Sequence, residues 1–175
     1  MTGQKFLGIY RGTVLNNIDP EFRGRLMLSV PDVTSLIPTT WAEPCTPLAG
    51  PTGPPMGVFM VPMIGAGVFV QFIYGDPDHP VWMGCFWGTQ SDLPALSKTG
   101  LPASPNIVLQ SVTQNSISIS DVPGPTGGIM LKVAGSIIVV STDGISITAP
   151  KLTITAGTIT VLGETDINAG ALKVT

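Results

Sequence analysis

Residues 129–161 read IMLKVAGSIIVVSTDGISITAPKLTITAGTITV, and this stretch decides the fold class. Aliphatic residues alternate with small or polar ones in short bursts: Ile129/Leu131/Val133, Ile137/Val139, Ile145/Ile147, Leu152/Ile154 and Ile159/Val161. Alternation puts successive side chains on opposite faces of an extended chain, so each burst reads as a β-strand with one apolar face. The starting positions advance by 8, 8, 7 and 7 residues. Turn formers fill the breaks at Ala134-Gly135-Ser136, Thr142-Asp143-Gly144, Ala149-Pro150-Lys151 and Ala156-Gly157-Thr158. The stretch is a degenerate repeat, extended on either side by Ile117/Ile119 and Leu172/Val174.

A burst supplies about five strand residues, roughly 17 Å of chain, with two or three side chains on its apolar face. One such ribbon encloses no core, and a single-chain β-helix needs about three faces per coil. Three chains around one axis solve the problem, with Ile145, Ile147, Leu152, Ile154, Ile159 and Val161 expected to face that axis. A stiff, trimeric shaft follows, narrow enough inside for β-branched aliphatics to fill it.

The rest of the chain differs. All eleven aromatic residues lie at or before Trp87, which marks a domain boundary. Strands are expected at Gly8–Asn16, Gly24–Val30, Thr40–Cys45, Gly57–Val61, Gly67–Tyr74 and Pro80–Gly84, with turn formers between them. Short strands at this density fit a small closed barrel of the five-stranded oligonucleotide/oligosaccharide-binding (OB) type. The expected organisation is all-β: an OB-type barrel over 1–88, an extended proline-bearing linker over 89–106, and an intertwined trimeric β-helix, or needle, over 107–175.

Composition narrows the function. Only 11 % of residues are charged, the net charge is −3, and Arg23/Arg25 is the densest basic pair, so the footprint of nucleic-acid binding is missing. No apolar run approaches the roughly 20 residues of a membrane-spanning helix. The N-terminal MTGQKFLGIYRG lacks a basic segment followed by an apolar one, which argues against a cleaved secretion signal. Cys45 and Cys85 are too few for a disulfide scaffold and wrongly spaced for zinc; they read as buried structural thiols of a reducing compartment.

No catalytic, cofactor or metal site stands out. Asp76, Asp78 and His79 lie between a glycine and two prolines, the composition of a tight turn. Neither cysteine sits in a nucleophile context, and no carboxylate pair suggests glycoside hydrolysis. The distinctive loop is Pro44–Gly57, with Pro44, Leu48, Pro51, Pro54, Pro55 and Met56. It reads either as a rigid surface connection or as a preorganised contact against a neighbouring subunit or hub protein. Met56, Met60 and Met63 read as core filler rather than interface.

Four motifs in order, Tyr10-Arg-Gly-Thr-Val-Leu-Asn-Asn-Ile-Asp-Pro20, Gly24-Arg-Leu-Met-Leu-Ser-Val-Pro-Asp32, Trp41-Ala-Glu-Pro-Cys-Thr-Pro-Leu-Ala-Gly50 and Gly75-Asp-Pro-Asp-His-Pro-Val-Trp-Met-Gly84, resemble the barrel of phage baseplate spike proteins. The group includes phage baseplate assembly protein V and the valine-glycine-repeat spikes of type VI secretion. Ile117-Ser-Ile-Ser-Asp121, Gly127-Gly-Ile129 and Asp143-Gly-Ile-Ser-Ile147 resemble the start of the family's needle. The linker replaces the lysozyme domain of the long phage spike, and His79, the only histidine, precludes the His-x-His iron tip of some short spikes.

The resemblance implies a non-enzymatic, homotrimeric central spike without cofactor. It would be assembled in the bacterial cytoplasm and held in the baseplate beneath a hub protein, with inner tube and baseplate components as indirect neighbours. Sheath contraction would drive it into the target envelope, touched only transiently. A separate tip protein of the proline-alanine-alanine-arginine-repeat type is implied, with Leu172 and Val174 as its contacts; Glu164 and Asp166 are the only acids nearby. The rival reading is a carbohydrate- or oligonucleotide-binding barrel on an oligomerising stalk, with a wall hydrolase third.

Overall fold

The computed structural model describes residues 4–50 and 53–163. The chain forms two compact units, Met1–Leu93 and Pro94–Thr175. It is nearly all β, and the one α-helix among the described residues is the single turn α1, Pro31–Thr34.

The first unit contains β1 (Tyr10–Asn16), β2 (Met27–Ser29), β3 (Glu43–Pro44), β4 (Gly67–Phe72) and β5 (Pro80–Phe86), in the sheet order β2-β1-β4-β5-β3. Only β3 and β5 are parallel. A bridge brings the sheet round on itself: the Leu26 amide donates to the Ala42 carbonyl at 3.1 Å, and Ala42 returns a bond to Leu26 at 2.7 Å. Joining the two edges removes the open ladder that an edge strand would expose.

Period-two patterning fills the barrel. Val68, Val70 and Phe72 alternate along β4 and are buried with Val14, Leu26, Leu28, Val30, Ala42 and Trp82. Full burial of one such side chain contributes about 1.5–3 kcal/mol. The Trp82 indole N–H donates to the Gly24 carbonyl at 3.1 Å, so its polar edge is satisfied. Between Phe69 and Val70, whose partners are Gly84 and Trp82, the register slips and Met83 is left over. Such a bulge bends β5, as a small barrel requires.

Several expectations change here. Gly57–Val61 is not a barrel strand; only Gly57 pairs, in an isolated bridge with Ala49. Met56, Met60 and Met63 are exposed rather than core filler. Cys45 and Cys85 are exposed rather than buried. Partial burial still pushes the Cys85 thiol above its ordinary pKa.

The connection is folded, not extended. Residues 90–92 and 95–98 form single 3-10 turns. Thr89 and Asp92 cap the first reciprocally, the Asp92 carboxylate accepting from the Thr89 amide at 2.8 Å. Pro94 precedes the second turn instead of forbidding it, and the Asn106 side chain fixes that turn by donating to the Leu96 carbonyl at 2.8 Å.

The second unit is an antiparallel meander of β6 (Ile107–Gln110), β7 (Ser116–Ser120), β8 (Gly128–Val133), β9 (Ser136–Ser141) and β10 (Gly144–Thr148). Two-residue loops join the last three strands, Ala134-Gly135 between β8 and β9 and Thr142-Asp143 between β9 and β10. Ala134 takes a φ of 48°, the left-handed geometry that matches a tight hairpin to the strand twist. Consecutive bursts over 107–148 therefore pair within one chain, where an intertwined shaft has each burst meeting a strand of another copy.

Candidate functional site

Directly opposed residues of antiparallel strands share a face, so the registers define which side chains lie together. One row across all five strands is Ile107–Ile119–Ile129–Val140–Ile145, and the next is Leu109–Ile117–Leu131–Ile138–Ile147. These ten aliphatic side chains form one continuous face, and each is between 38 and 72 % exposed in the single chain. The opposite face carries the buried Ser116 and Ser118. On β9 the exposed apolar row uses Ile138 and Val140, whereas the alternation had suggested Ile137 and Val139. Four consecutive aliphatics hide the period, and the two-residue hairpin decides it.

Ile145 and Ile147 stand at the β10 end of the two rows. Leu152, Ile154, Ile159 and Val161 continue the alternation, are more than half exposed, and lie in no strand of their own chain. Leu172 and Val174, like Glu164 and Asp166, lie outside the described residues.

A second apolar surface lies on the barrel. Residues 46–50 and 56–58 pair back on each other: Gly50 donates to the Met56 carbonyl at 2.7 Å, Val58 to Leu48 at 3.0 Å, and the Thr46 hydroxyl to Val58 at 2.9 Å. A groove of about 560 Å³ opens beside this hairpin, with Leu48, Met56, Val58 and Phe59 among its walls and the Arg23–Glu43 ion pair on its border. Of the contact loop expected from sequence, Pro44, Leu48, Pro55 and Met56 line the groove. Pro54 is exposed, and Pro51 lies outside the described residues. The sequence reading missed Val58 and Phe59 by assigning them to the barrel wall; the crowding of Val58, Phe59, Met60, Met63 and Ile64 between glycines and prolines was the available signal.

The charged groups serve the scaffold. Asp19 is buried and accepts from the amides of Glu21, Arg23 and Arg25 and from the Arg25 guanidinium at 2.7 Å. The Arg25 hydrogen bonds hold the Asp19 carboxyl well below the usual carboxylate range, and Asp19 in turn raises Arg25. Arg23 pairs with Glu21 and Glu43, so both guanidiniums of the basic pair are engaged by carboxylates. Asp76, Asp78 and His79 form the β4–β5 turn: the Asp76 carboxylate accepts from the Asp78 amide at 3.0 Å and lies 3.3 Å from His79 Nδ1. No three potential metal ligands converge among the described residues.

The barrel is followed by a sheet whose ten-residue aliphatic face is exposed in the single chain, the feature expected of an assembly module. Residues 10–87 match the family model of the type VI secretion system/phage-baseplate injector OB domain, and residues 106–173 match that of the phage baseplate V C-terminal trimerisation domain. The chain belongs to the baseplate spike proteins of the baseplate V and valine-glycine-repeat type. Its two families are structural baseplate modules, and the second assigns it to a homo-oligomer. A search of the curated proteins finds no match to the chain.

Proposed function

We propose that three copies of this chain form the central spike of a contractile tail or phage-tail-like injection system. The observation that carries this reading is the ten-residue aliphatic face, open in the single chain and lying within the segment that matches the trimerisation family. Three such faces turned toward one axis bury each other and make a dry interior. At about 25 cal/mol per Å² of apolar surface, that burial drives assembly. Beyond Thr148 none of the described residues lies in a strand, and there the copies wind round each other as an intertwined needle.

The work is mechanical. The barrels dock beneath the baseplate hub, and the Pro44–Met56 loop with its groove is a contact surface of the assembled baseplate. Sheath shortening drives the tube, and the narrow shaft concentrates force on the target envelope; close packing and continuous ladders give it stiffness. A separate tip protein on Leu172 and Val174 belongs to the same proposal. Engagement of Arg23 and Arg25 by carboxylates supports the spike over a barrel that binds sugars or oligonucleotides.

Electron microscopy of the assembled particle tests this. The account expects threefold density on the tail axis directly below the hub. Assignment of the chain to a peripheral position in the baseplate contradicts it.

A further inference from the structure

The charges of the five-stranded meander are sorted by end. From Ile107 to Gly163 the charged residues are Asp121, Lys132, Asp143 and Lys151. β6, β8 and β10 run one way and β7 and β9 the other, so the sheet has two ends, and the registers assign each charge to one of them. Asp121 directly follows β7 and Asp143 directly precedes β10, both at the end where β8 begins. Lys132 is the penultimate residue of β8, and β10 leads out at that same opposite end toward Lys151. A five-residue strand holds the two ends about 17 Å apart, beyond the reach of an ion pair. Accordingly, the ion pairs among the described residues all lie in the barrel. Asp121, Asp143 and Lys151 are exposed in the single chain, and Lys132 is half-buried.

We propose that the acid end of each sheet meets the lysine end of the next copy, so that Asp121 and Asp143 of one chain pair with Lys132 and Lys151 of its neighbour and set all three copies pointing the same way. This inference rests on the trimeric reading above and names the charged contacts between copies. The ten-residue aliphatic face is a stripe, about 19 Å long across the strands and about 7 Å wide along them. Three such stripes bury most apolar surface when the common axis runs along their length, which stacks the strands along that axis. Neighbouring copies then meet at strand ends rather than at β6 and β10. Rotation about the axis brings unlike ends together, the head-to-tail contact that closes into a ring. A copy turned over would set acids against acids and lysines against lysines, and like charges placed together reject that arrangement. Since β7 and β8 are adjacent, Asp121 and Lys132 of neighbouring copies differ in height by about one strand spacing, roughly 4.8 Å, which a lysine side chain spans.

Thermal unfolding of the full-length protein at low and high salt tests this, with the oligomer mass measured alongside. Lys132→Glu with Lys151→Glu makes both ends acidic, and Asp121→Lys with Asp143→Lys makes both basic. Either pair of substitutions should lower the melting midpoint of the trimer by about 5 °C at low salt. Most of that loss should vanish as the screening length shrinks from about 30 Å at 0.01 M to about 3 Å at 1 M salt. The variant carrying all four substitutions exchanges the two ends and should return to within about 2 °C of the wild type. If a two-residue variant fails to fold, a trimer restored by all four substitutions supports the inference, and a failure to restore it overturns it. Unchanged midpoints in the two-residue variants, or a fourfold variant that loses as much as both together, overturn the inference and leave the spike reading standing. A monomeric wild type overturns both, and the mass alone identifies that case.

Discussion

Leu131 on β8 stands directly opposite Ile138 on β9, and both side chains are about 40 % exposed, 43 % and 38 %. This pair fixes which residue of the Ile137-Ile138-Val139-Val140 run joins the open aliphatic face. Ile138→Ser should therefore weaken the full-length trimer more than Ile137→Ser. Removing the aliphatic side chain from a buried interface destabilises by about 2 kcal/mol per chain, and the three equivalent sites act together. Thermal unfolding of the two variants checks this; an equal or reversed order places the wrong face inside.

The Asp19–Arg25 pair organises the loop between β1 and β2. Since the folded-state pKa of Asp19 is depressed, its stabilisation is present above the ordinary carboxylate range and is lost as pH falls through and below about 4. Asp19→Asn should destabilise the barrel at neutral pH, because Arg25 is left with a weaker partner in a nearly buried site. The variant should also lose part of the acid-dependent fall in stability between about pH 4 and pH 2. Urea titrations at a series of pH values measure both.

Gly67 lies under the Phe86 ring, and a Cβ there would come within 2.6 Å of it. Phe86 also packs 5.0 Å from Phe69 and carries the Arg11 guanidinium at 5.0 Å. Gly67→Ala should displace the ring and destabilise the protein by about 1–3 kcal/mol. Against a Phe86→Ala background the same substitution should be far milder. A double-mutant cycle gives the coupling, and its absence contradicts the packing.

Much of this was legible because alternation is a direct record of strand faces. The β1 strand and the bursts at Ile117, Ile129 and Ile145 each show a period of two, whereas β5 loses it at the Met83 bulge. The period failed where it had nothing to alternate with, as in Ile137–Val140, whose face depends on the Ala134-Gly135 hairpin. Gly57–Val61 looked like a strand, but a strand exists only where a neighbour pairs with it. Prolines suggested an extended linker, yet Thr89, Asp92 and Asn106 supply the hydrogen bonds that fold it into turns. The groove was invisible for a related reason: it arises where the 46–50 and 56–58 segments meet Arg23 and Glu43, and no local pattern encodes that meeting.

The most direct test of the central claim is the mass of the purified full-length chain in solution, measured by light scattering at micromolar concentration. An aliphatic face that needs two further copies to become an interior predicts a single species of three times the 18.2 kDa protomer mass. A folded, stable monomer would contradict the account.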